Sequence, residues 1–225
     1  ARIANAVTED GADRGFLAIA VNRDPKDNKP YNARIQEMNQ ALSYFYTTKA
    51  PWNPYYGSGA VKARLEAMLE FWPRTQNPDT GFFSEYSPDN YSLAPTGFGI
   101  MATGRTLERL TTPGNPTIDK AVLDRTLAVQ RKAIMAMLTR EEPYRWGRDW
   151  SNQWSGVVRA ALGYLRIKPD DAEIRRALLA GVKRAARDFQ SPVGFLYEQG
   201  GPDFGYTGVH TNNIRLALPL LREDK

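Results

Sequence analysis

The 225-residue chain contains no cysteine and a single histidine, His210. Without cysteine, disulfides, zinc–thiolate sites and a thiol nucleophile are excluded. One histidine cannot build a transition-metal cluster, and the spacing of a calcium-binding helical loop is missing. We therefore expect no cofactor and no catalytic metal, although loop oxygens could hold a structural Ca²⁺.

Long apolar runs and long basic runs are also missing. No apolar run approaches the roughly 20 residues of a membrane helix, so we expect no membrane partner. The net charge of +5 is spread along the chain without a Lys/Arg-rich run. This modest excess is typical of a surface charged for solubility, and we expect no nucleic-acid partner.

Apolar residues recur at helical spacing through most of the chain, as at Ile35, Met38, Leu42 and Phe45. The one short candidate for a strand is Phe16–Val21. We predict an all-α domain over residues 31–225, preceded by an extended segment over residues 1–30. The predicted helices are 31–48, 58–76, 94–111, 118–139, 152–166, 170–190 and 206–222.

The connectors between these helices differ in length. Antiparallel neighbours joined by short loops place alternate connectors at opposite ends of an array. We therefore expect three long connectors to meet at one end and the aromatic loop Trp52–Tyr56 to pack at the other. The long connectors are Asn77–Leu93, Glu141–Ser151 and Ser191–Gly205; Thr112–Thr117 and Ile167–Asp170 are short.

Two of the long connectors resemble each other. Gly81–Tyr91 and Gly194–Tyr206 share an aromatic, acidic and Pro-Asp pattern, with a two-residue insertion in the second. A repeat of this length indicates stacked helical hairpins rather than a four-helix bundle. The predicted architecture is a set of antiparallel helical hairpins that forms an incomplete (α/α) toroid.

Tyr206 and His210 stand four residues apart at the start of the last predicted helix, which places them on one helical face. A phenol beside an imidazole is a candidate proton-transfer pair. The alternative is structural: the histidine caps the helix or fills a gap, and Tyr206 belongs to the core.

The connector Tyr144–Trp154 brings together three tryptophans, two arginines and the pair Asn152-Gln153. Sugar rings stack on indole faces, while arginine and amide donors bind carboxylates. In the alternative interpretation, Ser151 or Asn152 caps the next helix and the tryptophans fill the core.

Carboxylates of the two similar connectors form a third candidate group. Two carboxylates that face each other across a cleft are what glycoside hydrolysis requires. Most loop acids, however, cap helices or lie on the surface. The candidates are Glu85, Asp89, Glu198 and Asp203.

At these residues the sequence resembles a known group. The run F-L-Y-E-Q-G-G-P-D-F-G-Y-T-G-V-H-T-N-N, together with N-Q-W-S-G at residues 152–156, is similar to the α/α-toroid polysaccharide lyases of the heparinase II/III-like and alginate-lyase-like groups. Such lyases usually add a C-terminal β-sheet domain and contain more hairpins. The resemblance therefore implies that the chain is either the toroid part of such a protein or a reduced relative of it.

The resemblance implies β-elimination on a uronate-containing polysaccharide, in the periplasm or outside the cell. Asn152 would neutralise the uronate carboxylate, and Tyr206 and His210 would act as acid and base. The remaining expected substrate contacts are Arg148 and Gln153 beside Asn152, the sugar platforms Trp150, Trp154 and Tyr91, and the charged residues Glu198 and Arg215.

Two alternatives stay open from the sequence. One is an α/α-barrel glycoside hydrolase that uses two of the loop carboxylates. The other is a toroid that binds carbohydrate without catalysis. The partner in each case is an oligosaccharide or a polysaccharide.

Overall fold

A computed structural model describes residues 1–19, 24–199 and 201–223, which are mostly helical. The all-α prediction is therefore confirmed. The helices are α1 (Arg2–Asn5), α2 (Asn39–Thr47), α3 (Gly59–Phe71), α4 (Leu93–Thr111), α5 (Lys120–Thr139), α6 (Glu141–Gly147), α7 (Ser151–Ile167), α8 (Ala172–Asp188), α9 (Phe204–Ile214) and α10 (Leu218–Glu223). The strands β1 (Phe83–Ser84) and β2 (Tyr91–Ser92) form a short antiparallel hairpin.

Aspartate side chains start three of the helices. The carboxylate of Asp119 accepts hydrogen bonds from the first turn of α5, that of Asp171 from Ile174 N in α8, and that of Asp203 from Tyr206 N in α9. Each carboxylate accepts a hydrogen bond from an N–H group that has no partner within the helix, and its negative charge lies at the positive end of the helix dipole. These caps explain why the predicted starts lie close to the observed ones.

Two predicted helices are interrupted. Residues 31–48 become a 3₁₀ turn at Ile35–Met38 followed by α2, and residues 206–222 divide into α9, a 3₁₀ turn at Arg215–Ala217 and α10. The connector predicted over residues 141–151 contains α6. Its first turn carries Glu141 and Glu142, which suit a helix N-terminus.

One layer of the fold consists of α2, α4, α7 and α9. Asn39 bonds Thr103 and Ser43 bonds Thr106, so α2 and α4 run in the same direction. Gly97 touches Gln153 and Gly104 lies next to Ala160, which makes α4 and α7 parallel as well. Ser151 contacts His210 and Ser155 contacts Asn213, so α9 is parallel to α7.

The second layer consists of α3, α5 and α8. Glu66 and Glu70 of α3 contact Asp119 and Arg125 in the same order along the chain, so α3 and α5 are parallel. Helices of different layers are antiparallel, since Gln130 of α5 bonds Ile100 while Met137 lies beside Gly97. The chain therefore alternates between two helical layers.

The main core lies between the layers. Trp72 stacks on Phe83 with ring centroids 4.4 Å apart, and Trp154 meets Phe189 edge to face at 5.2 Å. A second apolar cluster joins the N-terminal residues to α2 and α3 and includes Val7, Leu17 and Leu65.

Residues 1–19 contain regular secondary structure, whereas the sequence predicted an extended segment over residues 1–30. They contain α1, and Val7 pairs with Leu17 in a single bridge that is buried against the second cluster. Pro25–Asp27 adds a 3₁₀ turn. Within the strand candidate Phe16–Val21, residues 20 and 21 lie outside the described residues.

The aromatic loop after α2 lies at the end of the array formed by the C-termini of α2 and α4. Asn53 donates to the carbonyls of Phe45 and Thr48, and Tyr46 donates to Thr117 O in the loop that follows α4. Its location matches the prediction. Packing is only partial, because Trp52 stays mostly exposed beside the ring of Tyr44.

Candidate functional site

The three long connectors meet at one end of the fold, as the alternation of loops predicts. Parallel α4, α7 and α9 place their N-termini together, and the connectors that precede them contact one another. Ser151 N donates to Tyr197 O, and Gln199 N donates to Asp149 O at 2.8 Å. Hydrogen bonds between connectors thus hold the first turn of α7 in place.

A polar cavity of about 500 Å³ opens at this end. Its volume is within the range common for small-molecule sites. The cavity is lined by Arg34, Glu85, Tyr86, Ser92, Ala94, Phe98, Trp150, Asn152, Gln153 and Tyr206. Of the residues predicted for substrate or catalysis, Asn152, Gln153, Trp150 and Tyr206 come together here.

Asn152 lies in the first turn of α7 with 2% of its surface exposed. Its Oδ1 is buried and has no hydrogen-bond partner in the described part of the chain. A buried amide oxygen without a partner costs free energy, so this atom is an unfavourable feature of the isolated fold at the cavity wall.

The Glu198 carboxylate binds the backbone of Asn152. Its Oε1 accepts hydrogen bonds from Asn152 N at 2.8 Å and from the Ser151 hydroxyl at 3.2 Å, which caps α7 across 46 residues of sequence. Burial raises the pKa of Glu198, and these two hydrogen bonds oppose that rise. Glu198 does not line the polar cavity, so the prediction of a direct substrate contact is replaced by a positioning role.

Tyr206 lies in the first turn of α9, and 51% of its surface is exposed. Its backbone N–H donates to the Asp203 carboxylate, which fixes the start of the helix, while the side chain lines the polar cavity. The alternative in which Tyr206 belongs to the core is therefore wrong.

His210 does not share this cavity. Its Nδ1 lies 3.0 Å from the Ser151 carbonyl oxygen and donates to it, because a carbonyl can only accept. The remainder of the ring faces a separate apolar groove of about 350 Å³ between α8 and α9, which Arg215 also lines. The pairing of His210 with Tyr206 is corrected, and Arg215 is likewise outside the polar cavity.

Trp154 is also corrected. It is 0% exposed and packs between Tyr144 and Phe189, so no ring face remains for a sugar. Tyr91, in β2, is packed against the main core, and Arg148 is exposed; neither lines the polar cavity. Trp150 is the predicted sugar platform that does line it.

Arg34, Glu85 and Phe98 complete the cavity. Arg34 pairs with Glu37 and places its guanidinium 4.6 Å from the centre of the Phe98 ring. Glu85 is buried at the cavity wall. The sequence indicated Glu85 as one of the loop acids that could serve glycoside hydrolysis, whereas Arg34 and Phe98 were not predicted as site residues.

We expect His210 to make folding sensitive to acid. Burial lowers the pKa of His210 below its usual 6.5, and the Ser151 carbonyl opposes this only in part. Below pH 6.5 the unfolded chain therefore binds a proton that the folded chain does not. The free energy of unfolding should fall on acidification, by up to about 1.4 kcal/mol per pH unit.

The measurement is urea unfolding of the wild type and of His210→Asn between pH 5 and 8. Asparagine keeps a donor for the Ser151 carbonyl but does not titrate. The raised pKa of Glu198 gives an opposite slope in both proteins, so the difference between them reports His210. A difference that does not change with pH would contradict the expectation.

In the described ranges, no group of three His, Asp or Glu side chains is arranged to hold a metal ion. Within the same ranges, no helix has the length and apolarity needed to cross a membrane. Comparison with known proteins gives no match: no protein family, no curated protein and no solved structure is significantly similar to this chain.

Proposed function

We propose that this chain is a polysaccharide lyase that cleaves a uronate-containing polysaccharide by β-elimination. The observation that carries the proposal is the polar cavity in which the Asn152 and Gln153 side chains and the phenol of Tyr206 meet. Asn152, Gln153 and Tyr206, which belong to the two lyase-like motifs, are among the residues that line it.

The helical arrangement supports the architecture that goes with this proposal. Two layers of helices, parallel within a layer and antiparallel between layers, are what successive hairpins of an (α/α) toroid produce. In the first layer, α2 contacts α4, α4 contacts α7 and α7 contacts α9, which is the order of neighbours that such a ring would have. We propose an incomplete (α/α) toroid with the polar cavity at the N-terminal ends of its inner helices.

Elimination needs the proton next to the uronate carboxylate to become acidic. Donors that neutralise the carboxylate stabilise the enolate that forms when this proton leaves. The amides of Asn152 and Gln153 are the donors proposed for this role; the Arg34 guanidinium, which pairs with Glu37, lines the same cavity.

The proton transfers are assigned to Tyr206. The C–H bond next to the carboxylate breaks, its electron pair forms the new double bond, and the glycosidic C–O bond on the neighbouring carbon breaks. The leaving oxygen takes up a proton. Because His210 faces the apolar groove, both transfers are assigned to Tyr206: its side-chain oxygen takes up the first proton and returns one to the leaving oxygen.

Glycoside hydrolysis receives less support. It needs two carboxylates that face the same bond. Of the four candidate acids, Glu85 lines the polar cavity, whereas Glu198 caps α7 and Asp203 caps α9. Asp89 is exposed in the β1–β2 turn.

The test is incubation of the protein with alginate, glucuronan, heparin-type and pectic polysaccharides while ultraviolet absorbance is followed. We expect a rise from the unsaturated sugar with one of these acidic substrates. Neutral polysaccharides of similar length serve as controls. Saturated products would favour hydrolysis, and binding without any product would favour a non-catalytic carbohydrate-binding protein.

A further inference from the structure

Three arginines lie below the polar cavity on the same face of the first helical layer. Arg105 follows the cavity residue Phe98 by seven residues on α4, and Arg159 follows Asn152 by seven on α7. Seven residues are about two helical turns, roughly 10 Å along the axis. Since α4 and α7 are parallel, both arginines are displaced from the cavity in the same direction. Arg109 continues the row by one turn.

Within the described ranges none of these arginines forms a salt bridge, although the carboxylate of Glu108 is near enough to act on Arg105 and Arg109. Arg105 donates to the side chain of Gln40 at 3.2 Å, and the Arg109 guanidinium lies 5.5 Å from the centre of the Tyr44 ring. The nearby Glu108 pairs instead with Arg166 at 2.6 Å.

Their donors are also partly removed from water. Arg105 Nε and Arg109 Nη1 are buried without a hydrogen-bond acceptor in the part of the chain that the structure describes. Burial is the main cause that lowers the pKa of both Arg105 and Arg109; the charge of Arg159 acts in the same direction, and the carboxylate of Glu108 opposes it. Buried donors and like charges together are unfavourable unless an anion binds.

We infer that Arg105, Arg109 and Arg159 form an anion-binding site for carboxylates of an acidic sugar chain that extends from the polar cavity. This inference rests on the proposed function, because the chain is the assumed lyase substrate. A guanidinium binds a carboxylate through two parallel N–H groups, and each bound carboxylate offsets the repulsion among the arginines. The site holds the chain while the reaction takes place two helical turns away.

The test is calorimetric titration with oligomers of mannuronate, galacturonate or glucuronate, using the wild type, Arg105→Gln and Arg159→Gln. Each substitution should weaken binding of the preferred oligomer at least about tenfold, because a hydrogen bond to a charged group is lost. Arg125→Gln is the matched control, since Arg125 lies on α5 in the other layer and is mostly exposed beside Glu70. It removes the same charge and should leave binding unchanged.

Two further arms identify the ligand. A neutral oligosaccharide of equal length should bind the wild type and Arg105→Gln equally. Inorganic sulfate should bind more weakly than the oligouronate; tighter sulfate binding would overturn the assignment to a sugar chain. Thermal unfolding checks that Arg105→Gln and Arg159→Gln are folded, and we expect neither to be less stable than the wild type.

Unchanged oligouronate affinity in both variants, or an equal loss in Arg125→Gln, would overturn the inference. The measurement does not depend on turnover, so the two proposals fail separately. Arginine-dependent binding without an unsaturated product would contradict the lyase alone. Wild-type product formation with arginine-independent binding would contradict the anion site alone.

Discussion

Asn152→Ala is expected to lower the rate of elimination about 10²- to 10³-fold, the usual effect of removing one donor that stabilises a developing oxyanion. The side-chain amide is lost, but the backbone N–H that Glu198 accepts from remains. The cap of α7 is therefore retained, and the loss should be in catalysis rather than in folding. The measurement is kcat/KM from the rise in ultraviolet absorbance.

Asn212→Ala is the matched control, because Asn212 is exposed on α9 and does not line the polar cavity. Tyr206→Phe should also lose nearly all turnover, since phenylalanine fills the same space without a proton to exchange. If Asn152→Ala and Tyr206→Phe both keep full activity, the assigned roles are wrong.

Gly97→Ala is expected to cost about 1–3 kcal/mol or more of folding free energy, as overpacking of a tight contact does. A Cβ atom at Gly97 would lie 2.1 Å from the Gln153 carbonyl oxygen, and one at Gly156 would lie 2.5 Å from the Gly97 carbonyl oxygen. Both neighbours are backbone atoms of a parallel helix, which cannot turn aside as a side chain does. Urea unfolding measures the effect.

Gly99→Ala provides the control on the same helix. Its nearest neighbour, Trp72 Nε1, is 3.8 Å from the added Cβ, which is an ordinary contact. Here the gain in helix propensity should dominate and stabilise the protein by about 0.5–1 kcal/mol. Equal effects of the two substitutions would contradict the close approach of α4 and α7.

Helical periodicity and the alternation of connectors predicted the parts of the fold that matter for the site. The pattern at Ile35, Met38 and Leu42 depends on local geometry, which a sequence carries directly. That the long connectors lie at the same end follows from the antiparallel arrangement of consecutive helices alone. The α1 helix, α6 and the β1–β2 hairpin were missed because they are short and depend on tertiary contacts.

The site was predicted less well, for a physical reason that Tyr206 and His210 illustrate. Spacing of four residues defines a face of a helix, but not what that face meets along its length. Tyr206 lies where α9 reaches the polar cavity, whereas one turn later His210 meets the backbone of α7. Trp154 differs from Trp150 in the same way, since its turn of α7 packs in the core.

Glu198 shows a second limit of sequence reasoning. A carboxylate that caps a helix 46 residues earlier leaves no local signal, because the pairing depends on how two connectors fold against each other. Arg105 and Arg159 show the opposite case. Their seven-residue spacing from Phe98 and Asn152 is visible in the sequence. It places them relative to a site only when Phe98 and Asn152 are known to line the polar cavity.

The most direct test of the central claim is the mass of the products that the wild-type protein forms from a purified oligouronate. Elimination predicts two fragments whose masses add up to that of the substrate, one of them unsaturated and absorbing in the ultraviolet. Fragments that together contain an added water, with ¹⁸O incorporated from labelled solvent, would contradict the lyase assignment.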